Sequence, residues 1–171
     1  MTYDPNKYHF FWSGPFSQWQ KGNFEIEGVE FVTAEQAMMH HKALLFGDHE
    51  TAQKILATHD AGTQKALGRQ VRNFVESTWD LHKVDIVKRA NHAKFSQNKG
   101  LRRKLFQTGN KVLVEASPMD TIWGIGLDEV KAREIAPEYW PGQNLLGNVL
   151  MEVRQELRSE FPDEATHVAA E

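Results

Sequence analysis

The chain has 171 residues, 40% hydrophobic and 25% charged, the composition of an ordinary globular protein. A single domain is expected from that length, large enough to bury roughly 68–70% of its unfolded surface. No cysteine is present, which excludes disulfides, thiolate metal sites and a cysteine nucleophile. The opening MTYDPNKYHFFW lacks the basic and apolar regions of a signal peptide, and no stretch approaches the ~20 apolar residues of a membrane helix. A soluble, cytoplasmic protein without membrane contact is expected. The net charge of -3 sets up no global field toward nucleic acid. Yet Lys88, Arg89, Lys94, Lys99, Arg102, Arg103, Lys104 and Lys111 form a run with no acid among them. That run reads either as solvated helix faces or as a phosphate-attracting rim, with contact to nucleic acid as its extreme form.

HFFW (9–12), FEIE (24–27) and, after Gly28, VEFV (29–32) have the content of short strands, with a turn at Gly28. Helical signals follow almost without a break. Thr33-Ala34-Glu35-Gln36 reads as a capping box, the Thr33 hydroxyl accepting from the Gln36 backbone and the Gln36 amide reaching back. Its helix is expected to run to about Phe46, with Gly47 just past the end. Further helices are predicted over 49–57, 62–73 and 80–97, the last with Leu81, Val84, Val87, Ala90 and Phe95 near one face. Asn98-Lys99-Gly100 breaks it before a helix over 101–108 that Gly109 ends.

KVLVEAS (111–117) has strand composition and stops at Pro118, while IWGIGL (122–127) fits a strand or an extended loop. A short helix fits 128–135, closed by Pro137. From Asn144 a last amphipathic helix carries Leu146, Val149, Leu150, Val153 and Leu157. Residues 1–160 are expected to form the domain and 161–171 a polar, frayed tail. Runs of helices with dispersed strands predict an α+β fold, mostly helical with a small sheet.

The common signatures of chemistry are missing: no GxGxxG, GxxxxGK[ST], GxSxG or HExxH occurs. His40 and His41 are neighbours that point about 100° apart on a helix, so no metal site is expected. What stands out is polar residues in apolar surroundings. Glu35 opens the capped helix, and Lys42 follows two turns later on the same face, with Met38 and Met39 between. Read alone, Glu35 is a charge favoured by the helix dipole and Lys42 a solvated lysine. Trp79, Trp123 and Trp140 sit among turn-forming or charged residues, each either core or a platform for base stacking. Asp120 lies beyond a strand with Trp123-Gly124 just after it, and Gly124 and Gly126 allow close backbone approach or merely serve a turn. Asn144 is an N-cap or a donor to a ligand at the helix N-terminus.

Together these residues carry a resemblance. TAEQAMMHHKA (33–43), LGR (67–69), Trp79, AKF (93–95), LVEASPMDTIWG (113–124) and NLLGNVLMEVRQEL (144–157) are similar, in order and spacing, to the NADAR superfamily, which includes the YbiA-like N-glycosidases. The resemblance runs from about His9 to Leu157. Two departures mark this chain: the opening FFWSGPFSQW, and an insert DEVKAREIAPEYWPG (128–142) ahead of Asn144, both expected at a pocket rim.

The resemblance implies a hydrolase cleaving an N-glycosidic bond between a (phospho)ribose and an exocyclic amine of a pyrimidine or purine. Family substrates are riboflavin-pathway ribosylamino-pyrimidines and guanine bases bearing ADP-ribose, and no cofactor is implied. It assigns Lys42 as nucleophile or Schiff-base residue, with Glu35 and Asp120 for proton transfer. Arg69 is assigned to phosphate, Trp79 and Trp123 to stacking, and Gly124 and Asn144 to contacts near the substrate. Direct hydrolysis through an oxocarbenium ion is the alternative route, serving Glu35 and Asp120 but giving Lys42 no covalent part. Three other readings stay open: an ADP-ribosyl-guanine glycohydrolase, a non-catalytic ADP-ribose or nucleotide binder, and a nucleic-acid binder. Tyr139 and Trp140 in the insert either wall off the pocket or offer a shelf for adenine.

Overall fold

The computed structural model describes residues 2–171, and its backbone contacts group into two compact units. One comprises residues 18–99; the other joins the start of the chain, up to residue 17, to residues 100–171.

The 18–99 unit opens with an antiparallel hairpin, β2 (Phe24–Ile26) and β3 (Val29–Phe31), with Phe24 opposite Phe31. Glu27 and Gly28 turn it with φ of 50° and 82°, the left-handed pair that matches the twist of a tight hairpin. Helix α1 (Ala34–Leu45) then packs against α2 (His49–Leu56), α3 (Ala61–Gly68) and α4 (Glu76–Gln97). Phe24, Ile26, Phe31, Ala37, Ala90 and Ala93 close one core between hairpin and helices.

A buried polar network fixes the start of α1. The Thr33 hydroxyl accepts from the Gln36 backbone at 3.0 Å, as the capping box requires, and donates to the Gln64 side chain at 2.6 Å. Gln36 does not reach back to Thr33. Its carbonyl accepts from Val32 N at 2.8 Å, and its amide donates to Ile55 and Thr58 carbonyls at 3.1 and 3.0 Å. One glutamine thereby joins α1 to the end of α2.

The second unit holds a parallel pair, β1 (Tyr8–Phe11) and β4 (Val112–Glu115), in the register Tyr8 to Val112 and Phe11 to Glu115. The small sheet expected from sequence is therefore two separate pairs of strands. Helices α5 (Lys99–Gln107), α6 (Glu129–Glu134), α7 (Leu145–Glu160) and α8 (Pro162–Ala169) complete the unit. Phe10, Val114, Ala116, Ile125 and Ala132 form its core, with Tyr8 and Trp140 packed on it.

Most elements follow the sequence reading, and the differences have local causes. Helix α3 stops at Gly68 instead of 73, because Arg69 caps it and Val71 turns inward. Helix α4 starts at Glu76 instead of 80, which moves Trp79 from a loop into a first helical turn. Only Asn98 separates α4 from α5. Residues 122–127 form an irregular loop. The end of the chain is helical as α8, where frayed polar chain was expected. Pro162 starts that helix, and the Arg102 guanidinium lies 3.8 Å from the Phe161 ring centre and 2.8 Å from Glu164.

Candidate active site

In the 18–99 unit, α1 places Glu35 and Lys42 on one face. Glu35 is 7% exposed in the first turn, where the amide dipoles favour a carboxylate. Its backbone N–H donates to the Gln18 carbonyl at 2.9 Å. Gln18 is held in turn by Asn91, whose amide donates to it at 2.8 Å. Lys42 is half-buried in the last turn, and its ammonium donates to the Gly68 carbonyl at 2.9 Å.

The close meeting of α1 with α3 that this bond needs depends on Gly68. A Cβ there would stand 1.9 Å from the Met39 sulfur. The LGR segment thus acquires a physical meaning: Leu67-Gly68 brings α3 against α1, and Arg69 follows as an exposed cation at the cap. Two rings flank the Lys42 ammonium, Phe74 at 4.8 Å and Trp79 at 5.5 Å from their centres. Trp79 is buried on α4; Phe74 is 44% exposed, packed edge-on against Phe46.

This environment pushes the Lys42 pKa below the usual lysine value. Burial is the largest cause, the Glu35 charge opposes it, and the Arg69 charge adds to it. A lysine lowered by burial and a neighbouring guanidinium holds a larger fraction of free amine, the form that attacks carbon.

Sequence reasoning missed Phe74 and Gln18. Phe74 follows Asn73, which turns the chain with φ 62°, and nothing in its spacing separates it from a core aromatic. Gln18 acts mainly through its backbone carbonyl and a tertiary contact, neither of which leaves a trace in local pattern.

Asp120, Trp123, Gly124 and Asn144 lie together in the other unit, in one laced loop. One Asp120 carboxylate oxygen accepts from the Ile122 and Trp123 backbones, both at 2.8 Å. The carbonyls of Ile122, Trp123 and Gly124 accept from the amides of Leu145, Leu146 and Asn144 at 3.2, 3.1 and 3.1 Å. The first amides of α7 are therefore satisfied by this loop. Asn144, at φ 53°, makes no side-chain cap. Its side chain instead bridges β4, accepting from Glu115 N at 3.0 Å and donating to the Leu113 carbonyl at 2.9 Å. The N-cap role expected for Asn144 from sequence gives way to this strand contact. At Gly124 an added Cβ would meet the Asp120 and Glu115 carbonyls and Ser117 at 3.0 Å, so the glycine serves close packing of the loop.

The insert resolves into α6 and a single 3-10 turn at Pro137–Tyr139. Trp140 is part of an aromatic cluster with Tyr3, Tyr8 and Phe10, its indole N–H bonded to the Ile135 carbonyl at 2.8 Å, while Tyr139 is 74% exposed. Trp140 is half-buried and packed on the core of its unit, and Tyr139 is the exposed ring of the insert.

Residues 9–158 match the NADAR domain, across both units as one stretch. The chain is 53% identical over 146 residues to N-glycosidase R617 of Acanthamoeba polyphaga mimivirus, covering 82% of this chain and 86% of that protein. It is 28% identical to the riboflavin biosynthesis protein VVA0006 of Vibrio vulnificus over 94% of this chain, which spans 39% of that longer protein. Its fold matches the NMR structure of the Escherichia coli protein YbiA with a TM-score of 0.73 and 27% identity, covering 89% of this chain and 85% of YbiA. The chain belongs to the NADAR family. Its fold is the α+β, mostly helical fold of that family, and its enzymatic class is that of the N-glycosidases it aligns with.

Proposed function

We propose that this N-glycosidase acts on a bond between C1 of a (phospho)ribose and an exocyclic amine of a base, with Lys42 as the attacking amine. The observation that carries the reading is the Lys42 ammonium held on the Gly68 carbonyl, walled by Phe74 and Trp79, with Glu35 and Arg69 within Coulombic reach.

A ribosylamine can open its ring to an imine at C1, which an ordinary nucleoside does not readily do. The free Lys42 amine adds to C1, a proton passes to the base nitrogen, and the C1–N bond to the base breaks. Water then adds to the Lys42 imine, and cleavage of the C1–lysine bond releases the sugar and restores the amine. The sum is one water consumed, one base amine and one ribose released. Glu35, buried two turns before Lys42, moves the protons. Arg69, exposed and with no carboxylate partner among the described residues, takes the sugar phosphate, and Trp79 with Phe74 faces the base.

The substrate is assigned to the riboflavin-precursor type, a ribosylamino-pyrimidine with one phosphate. A single exposed guanidinium beside Lys42 suits one phosphate. Trp140 is packed edge-on against Tyr8 and Phe10, which takes up half of the aromatic shelf that a second nucleoside, as in ADP-ribosyl-guanine, would use.

Incubation with a phosphoribosylamino-pyrimidine and with ADP-ribosyl-guanine, followed by chromatography, tests the assignment. Released pyrimidine and ribose phosphate are expected, and borohydride added during turnover is expected to leave a ribosyl adduct on the Lys42 peptide. Full activity in Lys42→Ala overturns the covalent route. Release of guanine alone overturns the substrate.

A further inference from the structure

The run of basic residues noted in the sequence is sorted by the structure. Arg89 is paired with Glu27, and Lys94 is wholly buried. On α5, Arg102 is neutralised by Glu164 and Arg103 by Glu171, both from α8 or just past it. Lys104 on the same helix has no carboxylate partner among the described residues, and neither has Lys111. These two lysines line a cleft of about 290 Å³ with His9, Pro15, Phe16, Gln107 and Thr108.

Beneath the cleft lies a third cation. Arg154 is 6% exposed, and its guanidinium donates to the Thr108 hydroxyl at 2.8 Å and the Lys111 carbonyl at 2.9 Å, both neutral groups. A buried guanidinium without a carboxylate is costly, and an anion close by offsets that cost. The charge is felt in the cleft: His9 is pushed below the usual imidazole range by burial first, then by Lys111 and Arg154. Glu129 opposes them, but it is engaged with Arg133 at 2.7 Å.

We infer that the cleft lined by His9, Lys104, Gln107 and Lys111 is a binding site for a phosphate-bearing ligand. Lys104 and Lys111 supply charge-assisted donors, the Gln107 side chain a neutral one, and Pro15 with Phe16 an apolar wall. The volume falls just below the ~300–1,000 Å³ of sites that enclose a whole small ligand. The cleft therefore takes a phosphate with part of a sugar, either of a mononucleotide or of one residue of a single strand. None of these lining residues takes part in the chemistry assigned to Lys42, so binding, not turnover, reads the cleft.

Titration of the 15N-labelled full chain with inorganic phosphate, adenosine 5′-monophosphate and a short single-stranded oligonucleotide tests it. Saturable shifts are expected at His9, Gln107 and Lys111. Lys104→Glu with Lys111→Glu is expected to weaken binding by roughly tenfold or more, whereas Lys131→Glu on exposed α6 leaves it intact. Lys104→Ala with Lys111→Ala serves if the charge reversals do not fold. Binding of the mononucleotide assigns a small ligand. Binding of the oligonucleotide alone, weakening with salt and lost in the double variant, assigns a strand. Linear, unsaturated shifts, or binding that persists in both double variants, overturn the site.

Discussion

The ammonium of Lys42 is held 2.9 Å from the carbonyl of Gly68, so the amine is anchored at the point where α3 meets α1. The neighbours that set its pKa act with opposite signs, Glu35 raising it and Arg69 lowering it against a larger lowering by burial.

If free Lys42 is the nucleophile, the rate rises with pH toward a midpoint below 10.5, the ordinary lysine value. Glu35→Gln removes the charge that favours the ammonium, so the midpoint moves to lower pH even as proton transfer slows. Arg69→Gln removes the repelling cation and moves it to higher pH. Rate profiles between neutrality and pH 10 read both shifts. Profiles that do not move in either variant mean that Lys42 titration does not control the reaction.

Much of this helix was legible beforehand. Thr33 and Gly47 bracket it by local rules of capping, and the seven-residue spacing of Glu35 and Lys42 fixes a common face. Partners on other elements were not legible. Gly68 lies 26 residues from Lys42, and Phe74 is set by a left-handed Asn73 that no periodicity announces. Asn144 shows the reverse error. Its position before a helix suggests an N-cap, but strand β4 offers its side chain two backbone partners, and the loop carbonyls cap the helix instead.

Lys94 is fully buried on α4, and burial pushes its pKa down to about 7. The sign follows from linkage. Between pH 7 and 10.5 the unfolded lysine binds a proton that the folded one does not, so wild-type stability gains as pH rises through that window. Lys94→Met has no such dependence. Melting temperatures of the two proteins across pH 6 to 10 are expected to shift in favour of the wild type with rising pH. A constant difference means that Lys94 titrates alike in both states.

Gln36 satisfies three backbone groups at once, Val32 N and the Ile55 and Thr58 carbonyls. Gln36→Leu preserves volume but leaves them without that partner. The Thr58 carbonyl keeps the Gln64 amide at 2.9 Å and the Ile55 carbonyl keeps backbone donors, so Val32 N is the group left unpaired. A buried group left unpaired costs about 1–3 kcal/mol, and denaturant unfolding is expected to show a loss of that size. A loss below ~1 kcal/mol means that water replaces the side chain.

Asp120 divides a structural role from a chemical one. Its carboxylate oxygen accepts from two backbone amides at 2.8 Å, which is enough to shape the loop that caps α7. Asp120→Asn retains an oxygen for both bonds, so the melting temperature should stay near that of the wild type. Asp120→Ala removes the acceptor and is expected to destabilise the loop by about 1–3 kcal/mol, leaving two amides unpaired. If Asp120 moves protons in the reaction, Asn behaves like Ala in turnover while resembling the wild type in stability, and general acid–base loss amounts to about 10²–10⁴-fold. If its work ends with the turn, Asn keeps both activity and fold. Turnover and melting measured on the two variants therefore separate the assignments, and an Asn variant with wild-type turnover removes Asp120 from the chemistry.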